Sequence, residues 1–262
     1  MTTRHGHEQG MFYREANSEA AGPPLLFIHG LGESGLCFEH LLSAPQLKGH
    51  RLLIPDLPGY GRSPWPEGLP LGLVDQADHL AGWLRGRQAV PAVIIGHSMG
   101  GVVALLLAER HPDVVSGVID IDGNKSPGDC VFSSQAGQYD LDTFAAAGFD
   151  QMRARIHDKG YEDTAQRGYY VSLRLADPRT YHRNSLELVE MSGRRDMAQR
   201  LAALAVPAVY IAGVPDGASV ETHELLAQAQ VPVVAIEPSG HWPFIDQTAH
   251  FLVALTEILA EE

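Results

Sequence analysis

Cysteine is almost absent from this chain, and its two examples, Cys37 and Cys130, sit in unrelated segments. Neither belongs to a metal-binding or redox spacing, so free thiols in a reducing compartment are expected and no disulfide framework is. Long apolar runs are missing as well: none approaches the ~18 residues of a membrane span. Met1 to Gly10 is polar and bears histidines, without the charged start, apolar middle and small-residue cleavage site of a secretory signal. A cytoplasmic protein is the expectation. Basic residues are scarce, 19 Lys and Arg against 32 Asp and Glu, for a formal charge of −13. That balance repels phosphate backbones and anionic lipid heads, so neither nucleic acid nor membrane is an expected partner. Repeats and low-complexity stretches are absent too.

What is present suits one α/β domain: 262 residues, 45% of them hydrophobic, enough to bury a large core. Short β-type runs alternate with longer helix-type runs, the pattern of a mostly parallel sheet flanked by helices on both faces. Leu25 to Ile28, Arg51 to Ile54, Ala92 to Ile95, Gly117 to Ile119, Ala208 to Ile211 and Val233 to Ile236 read as strands, each meeting Gly, Asp or Pro near its end. Val74 to Leu84, Val102 to Glu109 and Phe251 to Leu259 carry apolar residues at three- and four-residue intervals and read as covering helices.

One segment breaks the rhythm. From about residue 124 to 196 no convincing strand appears, and charge, helix formers and aromatics (Phe132, Tyr139, Phe144, Phe149, Tyr161, Tyr169, Tyr170, Tyr181) are plentiful. Such an excursion either packs its aromatics into a small core of its own or covers a binding site. An insertion of this length more often carries function, so a lid over the site is the favoured reading.

Gly96-His97-Ser98-Met99-Gly100 follows the run Ala92 to Ile95 and precedes a helical run, which is the context that a G-x-S-x-G nucleophile turn requires. The turn forces its flanking glycines to lack side chains and pushes Ser98 into a strained conformation that exposes its hydroxyl at a helix N-terminus. His29-Gly30-Leu31-Gly32 follows the run ending at Ile28. The backbone N–H groups of Leu31 and Met99 are therefore the expected oxyanion hole, and His29 is expected to order the loop. Among thirteen histidines, His241 in Gly240-His241-Trp242-Pro243 stands after the last strand, at the sheet edge that carries Ser98, and is the expected general base.

The acid divides the reading. Asp216 follows the run ending at Ile211 and gives the chain order Ser, Asp, His, so it is favoured; Asp122, at the end of the strand that begins at Gly117, is the alternative. Asp120 is expected to be structural. His97 should point away from the serine, yet with Gly30 and Trp242 it completes the set of expected substrate contacts.

Together, His29-Gly30, Asp56-Leu57-Pro58-Gly59-Tyr60-Gly61-Arg62-Ser63, Gly96 to Gly101 and Gly240 to Pro243 resemble the α/β-hydrolase superfamily over nearly the whole chain. The resemblance implies a core of residues 1–123 and 197–262 and a helical cap, 124–196, inserted after the sixth strand. It implies a carboxylesterase-like serine hydrolase that cleaves an ester or related acyl bond of a small to medium, largely apolar small-molecule substrate, with no cofactor and no metal, as a monomer or homodimer. Serine at 98 argues against the branches that place aspartate there. Two other activities stay open: a carbon–carbon bond hydrolase or cofactor-free dioxygenase that relies on the His/Asp pair, and a ligand-binding protein that has kept the pocket without useful catalysis.

Overall fold

The apolar runs become the strands of one sheet. The computed structural model describes residues 3–261, and within them β1 (Thr3–Glu8), β2 (Met11–Ala16), β3 (Gly22–Ile28), β4 (His50–Pro55), β5 (Ala92–His97), β6 (Val115–Ile121), β7 (Ala208–Asp216) and β8 (Val233–Gly240) lie side by side in the order β1-β2-β4-β3-β5-β6-β7-β8. β2 runs antiparallel to both β1 and β4, and every other neighbouring pair is parallel. The six expected strands are all there. Leu25 to Ile28 and Ala92 to Ile95 are fully buried, as central strands covered on both faces must be.

Two strands were not expected. β1 is a polar, mostly exposed edge strand, and it is defined by pairing rather than by alternation in its own sequence. Gln9 and Gly10 link it to β2 with φ of 49° and 75°, the two positive angles that a tight hairpin of this hand needs. Met1 and Thr2, the start of the segment read as polar, lie outside the described residues.

Helices α1 (Leu73–Gly86) and α2 (Met99–Arg110) follow β4 and β5. Every residue of α2 from Met99 to Ala108 is buried, which explains a sequence apolar on all sides: the helix packs on the sheet and under α1. Between β6 and β7 the chain forms only helical elements, α3 (Ser133–Ala136), α4 (Leu141–Thr143), α5 (Phe149–Lys159), α6 (Thr164–Leu173), α7 (Pro178–Gly193) and α8 (Met197–Ala202). The Asp163 and Asp177 side chains cap α6 and α7 by accepting from the free N–H groups of their first turns. Phe144, Phe149 and Tyr181 pack on one another inside this helical segment. Buried hydrogen bonds tie the segment to the sheet layer, from the Tyr60 hydroxyl to Asn184 Oδ1 (2.8 Å) and between the Ser34 and Ser172 hydroxyls (3.1 Å). Helices α9 (Val220–Ala229), α10 (Pro243–Asp246) and α11 (Thr248–Glu261) complete the chain.

The order of strands reverses at β3, which has β4 on one side and β5 on the other. Loops leaving the C-terminal ends of β3 and β5 part there and open a crevice, the usual ligand position in an open parallel sheet.

Candidate active site

Ser98 is the residue between β5 and α2, with φ 53° and ψ −118°. Its N–H donates to the Ile121 carbonyl at 2.9 Å, prolonging the β5–β6 ladder, while its own carbonyl accepts from Gly101 N–H at 3.0 Å, opening the helix. Holding one residue in both patterns is what sustains an angle that non-glycine residues avoid. The neighbours must be small: a side chain at Gly96 would meet the Gly100 carbonyl, and one at Gly100 the Ile28 carbonyl. Met99, the first residue of α2, has an N–H with no intrahelical acceptor, next to the serine.

Ser98 shares a chamber with Gly30, Leu31, His97, Asn124, His241 and Trp242, closed by Phe132, Tyr169 and Leu188 from the helical segment. Its free volume is about 20 Å³. A cleft of about 830 Å³ adjoins it on the His241 and Trp242 side. Besides apolar and small residues, that cleft is bordered by the carboxylates Asp129, Glu162, Asp163, Asp216 and Asp246 against one lysine, Lys159. The chamber around Ser98 is mainly apolar, as expected, whereas the adjoining cleft is mixed. Some of the aromatics pack among themselves, and carboxylates reach the cleft rim from the segment after β6 (Asp129), the helical segment (Glu162, Asp163), the end of β7 (Asp216) and α10 (Asp246).

Of the two candidate acids, Asp122 stands at the histidine. Its Oδ2 lies 4.0 Å from His241 Nδ1, while Gly213 N–H (3.1 Å) and Ala218 N–H (3.2 Å) hold the carboxyl in place. Asp122 itself has φ 43°, with its N–H on the Ile211 carbonyl. Burial pushes its carboxyl well above the usual range, against the pull of those two N–H groups. The favoured Asp216 is exposed on the cleft and has neither a hydrogen bond nor an ion pair to His241 among the described residues. The reason is strand length. β7 continues past Ile211 to Asp216, paired in register with Gly240, and carries Asp216 to the rim.

His241 is pushed down to about 3, first by desolvation and then by the neighbouring His97, whose ring centre is 4.7 Å away. A neutral imidazole facing a serine is the protonation state a base needs.

His97 is placed differently from the substrate contact expected of it. It is buried, and both ring nitrogens are occupied, Nδ1 by Glu33 Oε2 (2.8 Å) and Nε2 by the His241 carbonyl (2.7 Å). Both partners are acceptors, so each ring nitrogen is placed to donate. Glu33, which the sequence reading missed, also accepts from Gly30 N–H and from Trp242 Nε1, each at 2.6 Å. Burial alone would raise its carboxyl, but the His97 charge and these donors outweigh burial and hold it at about 2. Trp242 thus offers the chamber its ring and not its N–H. His29 orders its loop as expected, with Nδ1 on the Gly30 carbonyl and Nε2 accepting from Leu57 N–H at 3.0 Å. Asp120 is structural: it pairs with the fully buried Lys125 at 2.6 Å.

Among the described residues no group of three or more His, Cys, Asp or Glu is arranged to hold a metal ion, and no helix is long and apolar enough to cross a membrane. Both cysteines are free.

The comparisons with known proteins agree with this architecture. A family model of the alpha/beta hydrolase fold matches residues 23–248. The chain is 28% identical to sn-1-specific diacylglycerol lipase of Mus musculus, over 95% of this chain and 84% of that protein. It is 27% identical to 2-hydroxymuconate semialdehyde hydrolase of Pseudomonas sp. strain CF600, over 94% of this chain and 89% of that one. In structure it resembles the enol-lactonase of Burkholderia xenovorans LB400, with a TM-score of 0.77, 20% identity and coverage of 99% and 100%.

Proposed function

The chain belongs to the α/β-hydrolase fold family, and from that premise we propose that it is a serine hydrolase cleaving an ester or related acyl bond through an acyl-enzyme. The observation that carries this reading is the convergence of Ser98, in its strained turn, with His241 on one chamber, where Asp122 stands behind the imidazole.

His241 takes the Ser98 proton as the oxygen attacks the acyl carbonyl. The N–H groups of Leu31 and Met99 hold the oxyanion, fixed donors that need no rearrangement as charge develops. Asp122 receives Nδ1–H, orients the ring and offsets the positive charge it acquires. The 4.0 Å separation closes on substrate binding, as such contacts often do. Collapse expels an alcohol protonated by His241, and a water deprotonated by the same ring then releases the acid. The acyl side faces the chamber and the alcohol occupies the wide cleft, whose volume is ample for a small molecule. The helices between β6 and β7 act as the lid, residues 124–196, because Phe132, Tyr169 and Leu188 line the chamber that holds the serine.

The test is labelling and turnover. A fluorophosphonate labels Ser98 one to one, and p-nitrophenyl esters are hydrolysed. Ser98→Ala abolishes both. Asp122→Asn lowers kcat about 10⁴-fold, whereas Asp216→Asn changes it less than about threefold, the scale of a small rim charge effect. A second reading, carbon–carbon cleavage driven by the His/Asp pair, is favoured by the semialdehyde hydrolase among the full-length relatives. Substantial turnover by Ser98→Ala would select it.

A further inference from the structure

Asn124 is 3% exposed and lines the Ser98 chamber. Its side chain has one end satisfied and one end not. Nδ2 donates to Cys130 Sγ at 3.8 Å, and the Cys130 thiol in turn donates to the Leu188 carbonyl at 3.9 Å. This chain fixes which way the amide points, since a thiol has one hydrogen and Leu188 takes it. Oδ1 is left buried with no hydrogen-bond partner among the described residues.

The other charged groups of the chamber do not serve it. Asp129 accepts from Ser219 N–H, Lys125 N–H and Ser126 N–H, and is itself an acceptor without a proton to give. Glu33 is likewise an acceptor, and both ring nitrogens of His97 are committed. A buried carbonyl oxygen without a donor is uncommon in folded proteins and calls for a ligand or a water to complete it.

The space beside it is small. A free volume of about 20 Å³ accepts about one water-sized group. A compact group such as hydroxymethyl suits that space better than a long acyl chain. Resting on the acyl-enzyme reading above, we infer that Asn124 is a specificity-determining residue whose Oδ1 accepts a hydrogen bond from an O–H or N–H carried next to the acyl carbonyl. The substrate class is thus a short 2-hydroxyacyl or 2-aminoacyl-type ester, with its larger portion on the alcohol side. A site that presents a buried acceptor penalises an isostere lacking the donor, because binding the isostere leaves the acceptor unpaired for good.

The experiment compares ethyl glycolate with its isostere ethyl propionate on the intact chain, following acid release by pH-stat. Each kcat/KM is divided by the alkaline hydrolysis rate of the same ester, which removes the electron-withdrawing effect of the hydroxyl. Wild type is expected to prefer glycolate at least about tenfold, with ethyl methoxyacetate, polar but without a donor, resembling propionate. Asn124→Leu is expected to bring the glycolate to propionate ratio close to one, and a ratio within one preparation is unaffected by loss of active protein. Should that variant fail to fold, the three-ester comparison on wild type decides by itself. Equal turnover of glycolate and propionate by wild type overturns the inference alone. So does a uniform loss on both esters in Asn124→Leu, the signature of an oxygen that holds the deacylating water. An enzyme that turns over neither ester and leaves Ser98 unlabelled overturns the acyl-enzyme reading and this inference with it.

Discussion

Replacing Glu33 with glutamine removes a charge that two N–H donors and the His97 ring have been built around. The carboxylate is buried, receives the N–H groups of Gly30 and Trp242 and pairs with His97, and is held at about 2 against an ordinary 4.5. At about 1.4 kcal/mol for each tenfold change in proton affinity, that difference is worth about 3 kcal/mol of folding stability. Because the folded group is the more acidic, the contribution is complete above pH 4.5 and disappears as pH falls toward 2. Glutamine keeps the shape but turns an N–H₂ toward donors and leaves His97 without its charged partner, the situation in which breaking a buried pair costs about 3–5 kcal/mol. Urea unfolding at pH 7.5 should place Glu33→Gln at least about 3 kcal/mol below wild type, with Tm lower by roughly 6–10 °C for a chain of this length. Repeating the measurement at pH 4 should narrow the gap by roughly 1 kcal/mol, as wild type begins to lose the same contribution. A variant within about 1 kcal/mol of wild type at pH 7.5, or a gap that widens on acidification, would refute the assignment of Glu33 as an ionised buried partner.

Three further outcomes follow from the geometry. His241 must be neutral to act, and desolvation lowers its affinity for a proton, so kcat/KM for a neutral ester should stay high as pH falls through 6.5; an acid limb centred at or above 6.5 would contradict the burial described for that ring. Lys125→Met strands Asp120 in the core and should destabilise the fold by about 3–5 kcal/mol, while Asp120→Asn combined with Lys125→Met should recover a large part of the loss in the same denaturation assay. Acidic side chains crowd the cleft mouth, so an acetate ester of an anionic alcohol should be hydrolysed roughly fivefold more slowly than its neutral isostere, a difference that shrinks in 0.5 M NaCl; a salt-independent difference would point to shape instead.

The fold and the strained turn at Ser98 were legible because each is written in local pattern. A buried parallel strand is an uninterrupted apolar run, and the tight turn at Ser98 needs small residues at Gly96 and Gly100, where a side chain would strike backbone. The helical segment announced itself by the loss of strand-like runs. β1 was illegible, because an edge strand of Thr, Arg, His and Glu owes its conformation to the partner beside it.

The acid and the hidden charges could not be read in the same way. Asp122 and Asp216 each end a strand in the right chain order, and spacing cannot say how far β7 continues before it turns. Glu33 and Asn124 sit in loops with no periodicity to betray burial, and Lys125, in sequence a solvated cation like any other, turns out to have no exposed surface.

By itself, then, the sequence determined six of the eight strands, which serine must leave the plane of the backbone and which histidine stands after the last strand, since those depend on neighbours a few positions away. Tertiary structure alone decided which carboxylate meets His241, that His97 is buried between Glu33 and a carbonyl, and that the cleft mouth is acidic. Each of those depends on where separate loops come to rest against one another, and on how much water they leave around a charge.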